Sequence, residues 1–465
     1  MEDSADDAAL ALYQRGAQHL QSGDLPAAEQ AFRQAVRLDP QFAEAHGNLG
    51  YVLDHTGACA EAEACYRTAL EWAPQLATVR LNLGALLALQ KRHAEAEASY
   101  AAALMLDGQS SAVWSNLGAL QLSLKNEDTA EVCLRRAMAL DPANARARFN
   151  LAYLQLRRGL FEEGWALFEA RDWYQSVKQR LAFPRWQGED LAGRSLLVTY
   201  EAGHGDVIQF CRYIPRLKAL GADRISLLCH PALATLLSGL EGLDAVYRFD
   251  QPWPAQGFDY WMPLLSAPYH LATRADTVPA ACPYLQADAA LRTQWSARLP
   301  GAEQLRIGLV WKGNPQFEND RDRSLPHLKS LAPLWSVAGV HWISLQKGAG
   351  EGEVDAQQAT QALISLGGAM QDFADAAAIV SQLDLVITVD TAMAHLAGAL
   401  GIPCWLLLPW YMTDWRWGAE GTHSIWYPDA MRLFRQGPEG DWGPLIEQLV
   451  LALRERMGAQ HAPLN

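Results

Sequence analysis

At 465 residues the chain is too long for one hydrophobic core, so two to four domains are expected. Half of the residues are hydrophobic and 19% are charged, and a formal charge of −14 spread over both halves argues against a nucleic-acid surface. Seven cysteines (Cys59, Cys65, Cys133, Cys211, Cys229, Cys282 and Cys404) without a C-x-x-C pair argue against a disulfide frame or zinc site and predict small buried apolar residues in a reducing compartment.

The first residues, Met1 to Asp7, are acidic and lack the basic-then-apolar order of a signal peptide. No apolar run is long enough to span a bilayer, so the expectation is a cytoplasmic protein with no transmembrane segment. Pro40, Pro74 and Pro142 are spaced by 34 and twice 34, with Gly108 in the slot between. The same register holds Gly16, Gly50, Gly84 and Gly118, then Ala28, Ala62, Ala96 and Ala130. Phe32, Tyr66, Tyr100 and Leu134 keep it too, as do Ala35, Ala69, Ala103 and Ala137. Small residues at the Gly and first Ala columns let the two helices of one repeat approach. The aromatic and second Ala columns are expected on the second helix, packed against the next repeat, and proline ends that helix. This is the pattern of the tetratricopeptide repeat (TPR), whose helix pairs are stabilised by stacking on their neighbours. Residues 1–172 are therefore read as an all-α TPR solenoid of four repeats plus a degenerate fifth unit, or cap. That unit, from about Ala145 to Asp172, keeps Leu151 and Phe168 but carries Ala152 and Gly164 in place of the usual Gly and Ala.

Residues 173–193 read as a connector, and from Arg194 the texture changes. Strands are predicted at Ser195–Tyr200, Ile225–Cys229, Ala245–Phe249, Arg306–Trp311, Val340–Gln346, Asp384–Val389 and Ile402–Leu408. Helices are predicted at Asp206–Leu220, Asp372–Leu383 and Thr391–Leu400. Such alternation predicts parallel sheets covered on both faces. The Ala/Arg-rich stretch around Pro300-Gly301 divides two Rossmann-like halves, 194–300 and 301–465, the second closing on a final helix. Ligands would sit at the strand C-termini.

Three loops follow predicted strands and carry candidate chemistry. In Glu201-Ala202-Gly203-His204-Gly205-Asp206, glycines allow a tight turn, and Asp206 would lie at a helix N-terminus that favours its ionised form. It is either a general base on an acceptor hydroxyl or a cap on its own helix. In Trp311-Lys312-Gly313-Asn314-Pro315 and Asn319 to Ser324, Lys312, Arg321 and Arg323 concentrate positive charge suited to a phosphate-bearing donor. The alternative is a solvated loop whose Asp and Arg side chains pair with one another. In Val389-Asp390-Thr391-Ala392-Met393-Ala394-His395, the N–H groups from Thr391 onward suit a phosphate, Asp390 suits sugar hydroxyls, and His395 could donate to a leaving group. A capped helix with a packed histidine is the competing reading. Trp410, Trp415, Trp417 and Trp426 could stack on a base or sugar, although core packing is the commoner reason for such a cluster.

With S-L-Q-K-G at 344–348, Asp414-Trp415-Arg416-Trp417, Trp426-Tyr427-Pro428 and Arg432 to Gln436, these motifs make residues from about Leu196 to Leu451 resemble the bacterial heptosyltransferase-like glycosyltransferases (glycosyltransferase family 9 and relatives). The whole chain resembles a TPR-containing member of that kind. The resemblance implies a GT-B fold, two Rossmann-like domains, and inverting transfer from a nucleotide-sugar co-substrate without metal or other cofactor. It makes Asp206 and His395 the catalytic candidates. Lys312, Asn314, Arg321, Lys347, Gly348, Asp390, Thr391 and Ala392 become donor-side candidates, with Glu201, Gly203, His204 and Gly205 on the acceptor-side loop. Ala392 stands where heptosyltransferases often have Gly after D-T, so ADP-heptose does not follow as the donor.

Relatives of this layout are implicated in glycosylating proteins such as flagellins, which implies a protein acceptor recruited by the TPR superhelix and modified on Ser/Thr hydroxyls. Nucleic acid is not expected as a partner. Two alternatives stay open: a transferase for lipopolysaccharide or another surface glycan, and a non-catalytic TPR scaffold.

Overall fold

The computed structural model describes residues 2–357 and 362–460. By its contacts the chain divides into two units, Met1–Leu151 and Ala152–Asn465.

The first unit is built of helix pairs: Glu2–Gln21 with Leu25–Leu38, Ala43–His55 with Cys59–Trp72, Ala77–Leu89 with His93–Leu106, and Ser111–Ser123 with Glu127–Leu140. The glycine column has a direct steric cause. A Cβ on Gly16, Gly50, Gly84 or Gly118 would stand 2.6–2.7 Å from Phe32, Tyr66, Tyr100 or Leu134. The Phe, Tyr or Leu of the second helix thus lies on the glycine of its own repeat, while Phe32, Tyr66 and Tyr100 also share one apolar cluster with residues of the neighbouring repeats. Ala28, Ala62, Ala96 and Ala130 are fully buried, as are Ala35, Ala69, Ala103 and Ala137. One more column emerges: the turn between paired helices needs positive φ, supplied by Gly23 (80°) and Gly57 (84°) but by Lys91 (60°) and Lys125 (60°) in the next two repeats. Between repeats, Arg33 bonds Glu61 and Arg67 bonds Glu95 in the same geometry.

The second unit holds two all-parallel sheets. In the first, β1 (Ser195–Thr199), β2 (Arg224–Cys229), β3 (Ala245–Arg248) and β4 (Tyr260–Pro263) run in the order β3-β2-β1-β4. The second contains β5 (Leu305–Val310), β6 (Val340–Ser344), β7 (Leu363–Ser365), β8 (Leu385–Val389), β9 (Cys404–Leu408) and β10 (Met431–Arg435). Its order, β7-β6-β5-β8-β9-β10, is the doubly wound 3-2-1-4-5-6 arrangement, and the first sheet is the 3-2-1-4 part of it. Strands β4, β7 and β10 were not expected. The first two are only four and three residues long, and β10 is an edge strand whose apolar residues are interrupted by Arg432 and ended by Arg435.

Two expectations change. The helix predicted over Asp206–Leu220 is His204–Phe210, a 3₁₀ turn at Cys211–Tyr213 and Ile214–Ala219, broken ahead of Pro215. Helix Ala289–Ser296, placed before the 300/301 boundary, packs on the helix Phe373–Val380 of the second half, with Trp295 Nε1 donating to Asp375 at 2.8 Å. Within the 173–193 connector, Tyr174 and Val177 join Leu197, Leu228 and Trp261 in one apolar cluster.

The fifth helical unit straddles the division. Its second helix, Phe161–Phe168, buries Trp165 against Trp415 (ring centroids 5.3 Å) and Trp426 (6.4 Å). Trp415, Trp417 and Trp426 are thus core residues, and Trp410 is half-buried. The cysteines are unpaired, and Cys59 is exposed, contrary to the expectation that all seven are buried. Among the described residues no helix is long and apolar enough to cross a membrane.

Candidate functional site

The two loops with the strongest sequence signal meet. Helix His204–Phe210 follows β1 and helix Ala392–Ala399 follows β8. A Cβ on Gly205 would lie 3.3 Å from Ala392 Cα and 2.9 Å from His395 Cδ2, so the helix starts touch because residue 205 has no side chain. Around this junction the structure gathers Asp206, Asp390, Thr391, Ala392 and His395.

Each of these side chains is held. Asp206 Oδ2 accepts from Gly203 N–H at 2.9 Å, and Oδ1 accepts from Arg416. The Asp206 side chain still keeps 24% of its surface. Its pKa is raised by burial, with Arg416 opposing and Asp414 adding to the rise, so the lowering expected from the helix terminus does not prevail. Thr391 caps its own helix, accepting from Met393 N–H at 3.3 Å and pairing with the Thr388 hydroxyl at 3.1 Å. His395 is buried, with Nδ1 3.0 Å from Tyr427 Oη and its ring stacked on Trp417. Burial, and then Arg416 and Arg212, hold its imidazole well below the usual range and therefore neutral. Asp390 is pushed up by burial and by Asp414.

The remaining candidates lie elsewhere. Glu201 is buried away from solvent, bonded to Arg171 at 2.7 and 2.8 Å and to Leu265 N–H, so it anchors the loop that leads to Asp206. His204 packs between the rings of His230 and Phe373, and burial followed by His230 lowers its pKa to about 4. Lys312 pairs with Glu353 at 2.7 Å. Arg323 pairs with Asp320 at 3.0 Å, an Asp–Arg pairing within the segment as the alternative reading expected, although this pair is largely buried and not solvated. Asn314 accepts from Gln316 N–H in a local turn, and Arg321 is exposed. Lys347 reaches the Met370 carbonyl, while Gly348, at φ 77°, supplies a turn whose N–H bonds Glu351. Among the described residues no group of three or more His, Cys, Asp or Glu could hold a metal ion.

Sequence reasoning assigned no role to the residue at the centre, Arg416. It lies in the short 3₁₀ turn Trp415–Trp417, with Asp414 capping that turn. Its guanidinium donates to Asp206, to both Asp414 oxygens at 3.0 and 3.1 Å, and to Gln209. The available signal was an arginine between two tryptophans, a setting in which its charge must find partners.

A tetratricopeptide repeat model matches residues 13–77, 57–112 and 117–178, so the N-terminal segment carries TPR repeats. Protein FlbA of Caulobacter vibrioides is 30% identical over 334 residues, 64% of this chain and 53% of FlbA. The chain thus spans about half the length of the curated relative it matches. That match is longer than the repeat segment and so runs into the α/β unit. Among solved structures, Pseudomonas aeruginosa PilF aligns at 26% identity over 38% of this chain and 87% of that one, with a TM-score of 0.34. A thermophilic TPR protein of Thermus thermophilus, TTC0263, aligns at 22% over 37% and 91%, with a TM-score of 0.32.

Proposed function

We propose that the chain is an inverting, metal-independent glycosyltransferase of GT-B type that moves a sugar from a nucleotide-sugar donor to a Ser/Thr hydroxyl of a protein held by its TPR repeats. Flagellin is the acceptor class to try first. The reading rests on one juxtaposition: two parallel sheets in Rossmann order present the starts of helices His204–Phe210 and Ala392–Ala399 to each other, with Asp206 on one and Asp390 and Thr391 at the other. Both helices follow the C-terminal ends of strands, where open α/β sheets take ligands.

In this reading Asp206 accepts the hydroxyl proton as the oxygen attacks the anomeric carbon. The bond from that carbon to the phosphate oxygen breaks, and the nucleotide leaves. Its charge is met by the amides at the start of Ala392–Ala399 and by Lys312 once that lysine leaves Glu353. His395 is neutral and bonded to Tyr427, so it fits a supporting role at that helix better than proton donation.

The test is to incubate the protein with a panel of nucleotide sugars and host flagellin and follow intact mass. Mass increments of one sugar are expected with the native chain, and a loss of at least about a hundredfold with Asp206→Asn. No increment with any donor would sink the catalytic reading. A scaffold reading is favoured by the hydrogen bonds that already hold Thr391, His395 and Asp206 within the fold. It predicts that no nucleotide or nucleotide sugar raises the melting temperature. A surface-glycan acceptor would show as turnover with unmodified flagellin.

A further inference from the structure

Arg416 is 8% exposed, yet it joins two elements through three partners. It sits between Trp415 and Trp417 after β9, while Asp206 and Gln209 belong to the helix after β1 in the other half, 210 and 207 residues away in sequence. Its third partner, Asp414, belongs to its own turn. The guanidinium lies 4.6 Å over Trp415 and 5.6 Å from Phe210, so an aromatic wall fixes its plane. Gln209 and Asp414 fill the fork on both sides of the Asp206 bond, and the guanidinium has one way to face that carboxylate.

We infer that Arg416 is a positioning residue: supplied by the second half, it keeps the Asp206 carboxylate ionised and aimed at the helix junction, while Asp414 limits how strongly it does so. This rests on the transferase reading for its catalytic meaning, although the ionic relation stands apart from it. Around Asp206 stand Arg416 and Asp414 on the turn, Gly203 N–H in its own loop, Tyr153 on helix Ala145–Arg157 and His395 on helix Ala392–Ala399. Asp390 is a further carboxylate that senses the same pair, Asp414 and Arg416. Of these groups Arg416 is the cation and His395 is neutral, so Arg416, helped by the Gly203 N–H, opposes burial and the neighbouring acids. A general base must be deprotonated before it can act.

The experiment is a titration of the full-length protein carrying 13Cγ-labelled aspartate, with the Asp206 resonance identified by its loss in Asp206→Asn. Arg416→Gln should move the Asp206 midpoint up by about 1–3 pH units, and Asp414→Asn should move it down. Arg416→Lys, which keeps the charge but loses the fork, should fall between native and Arg416→Gln. The opposed signs separate this from general loosening, which would move both variants the same way. An unmoved midpoint in Arg416→Gln, or a rise in Asp414→Asn, overturns the inference. The second criterion holds even where Arg416→Gln does not fold. If the midpoints move as expected but no nucleotide sugar is turned over, the transferase reading fails and the positioning relation stands. Where transfer occurs, the acid limb of its pH–rate profile should shift with the midpoint, and the Lys variant should recover part of it.

Discussion

His204 and Gly205 show how single positions set the junction. His204 takes up a proton near pH 4 when folded, against about 6.5 for an exposed imidazole, because it is buried beside His230. Between those values the unfolded chain binds the extra proton, so this residue's stabilisation is complete above about pH 6.5 and is lost as pH falls toward 4. The slope approaches about 1.4 kcal/mol per pH unit. Urea unfolding at pH 7 and pH 5 should therefore show a smaller difference for His204→Gln than for the native chain; an equal difference would rule out a neutral folded His204. Gly205 has no unusual backbone need, and its constraint is space alone. Gly205→Ala would drive a methyl against His395, which cannot retreat because Tyr427 and Trp417 hold it. A loss of about 1–3 kcal/mol is expected by urea denaturation, together with loss of any donor-induced rise in melting temperature.

At the scale of elements, the repeats show one rule kept and one rule bent. The Gly-to-ring contact, with Leu134 in place of the ring in the fourth repeat, recurs because every paired helix crosses its partner at the same height. The turn within the pair demands φ near +60 to +80°, and Lys91 and Lys125 meet it at a steric cost that Gly23 and Gly57 avoid. Lys91→Gly should accordingly raise stability by roughly 0.5–1 kcal/mol, the relief of the left-handed backbone less the greater chain entropy of glycine. A lower denaturation midpoint would show that the lysine side chain contributes more than its backbone loses. The edge strand β10 and the three-residue β7 escaped notice for the opposite reason: neither presents a continuous apolar run.

At the scale of the whole molecule, long-range polar contacts hold the α/β unit in register. Arg171 and Glu201 have no exposed side-chain surface, and with Glu169, Arg185 and Ser266 they tie the segment after the last repeat helix to the loop that leads to Asp206. Arg171→Ala leaves the Glu201 carboxylate buried without its partner and should cost about 3–5 kcal/mol. Arg33→Ala, which breaks two solvent-accessible pairs, with Glu29 and Glu61, should cost about 1 kcal/mol or less. Equal losses in chemical denaturation would contradict the burial assigned to Arg171. The amino-acid sequence alone determined the repeats and their register, because each key contact joins residues 16 apart, as Gly16 and Phe32 are, and the 34-residue period records it directly. It also placed most strands and the three loops at their ends, since buried parallel strands are written as short apolar runs. Only the tertiary structure decided which loop residues meet. Asp206 and Arg416 are 210 residues apart and leave no periodic trace. Glu201, Lys312 and Lys347 turned instead to partners at Arg171, Glu353 and Met370. A charged side chain takes whichever partner folding brings within reach, and that choice is made by packing and not by spacing along the chain.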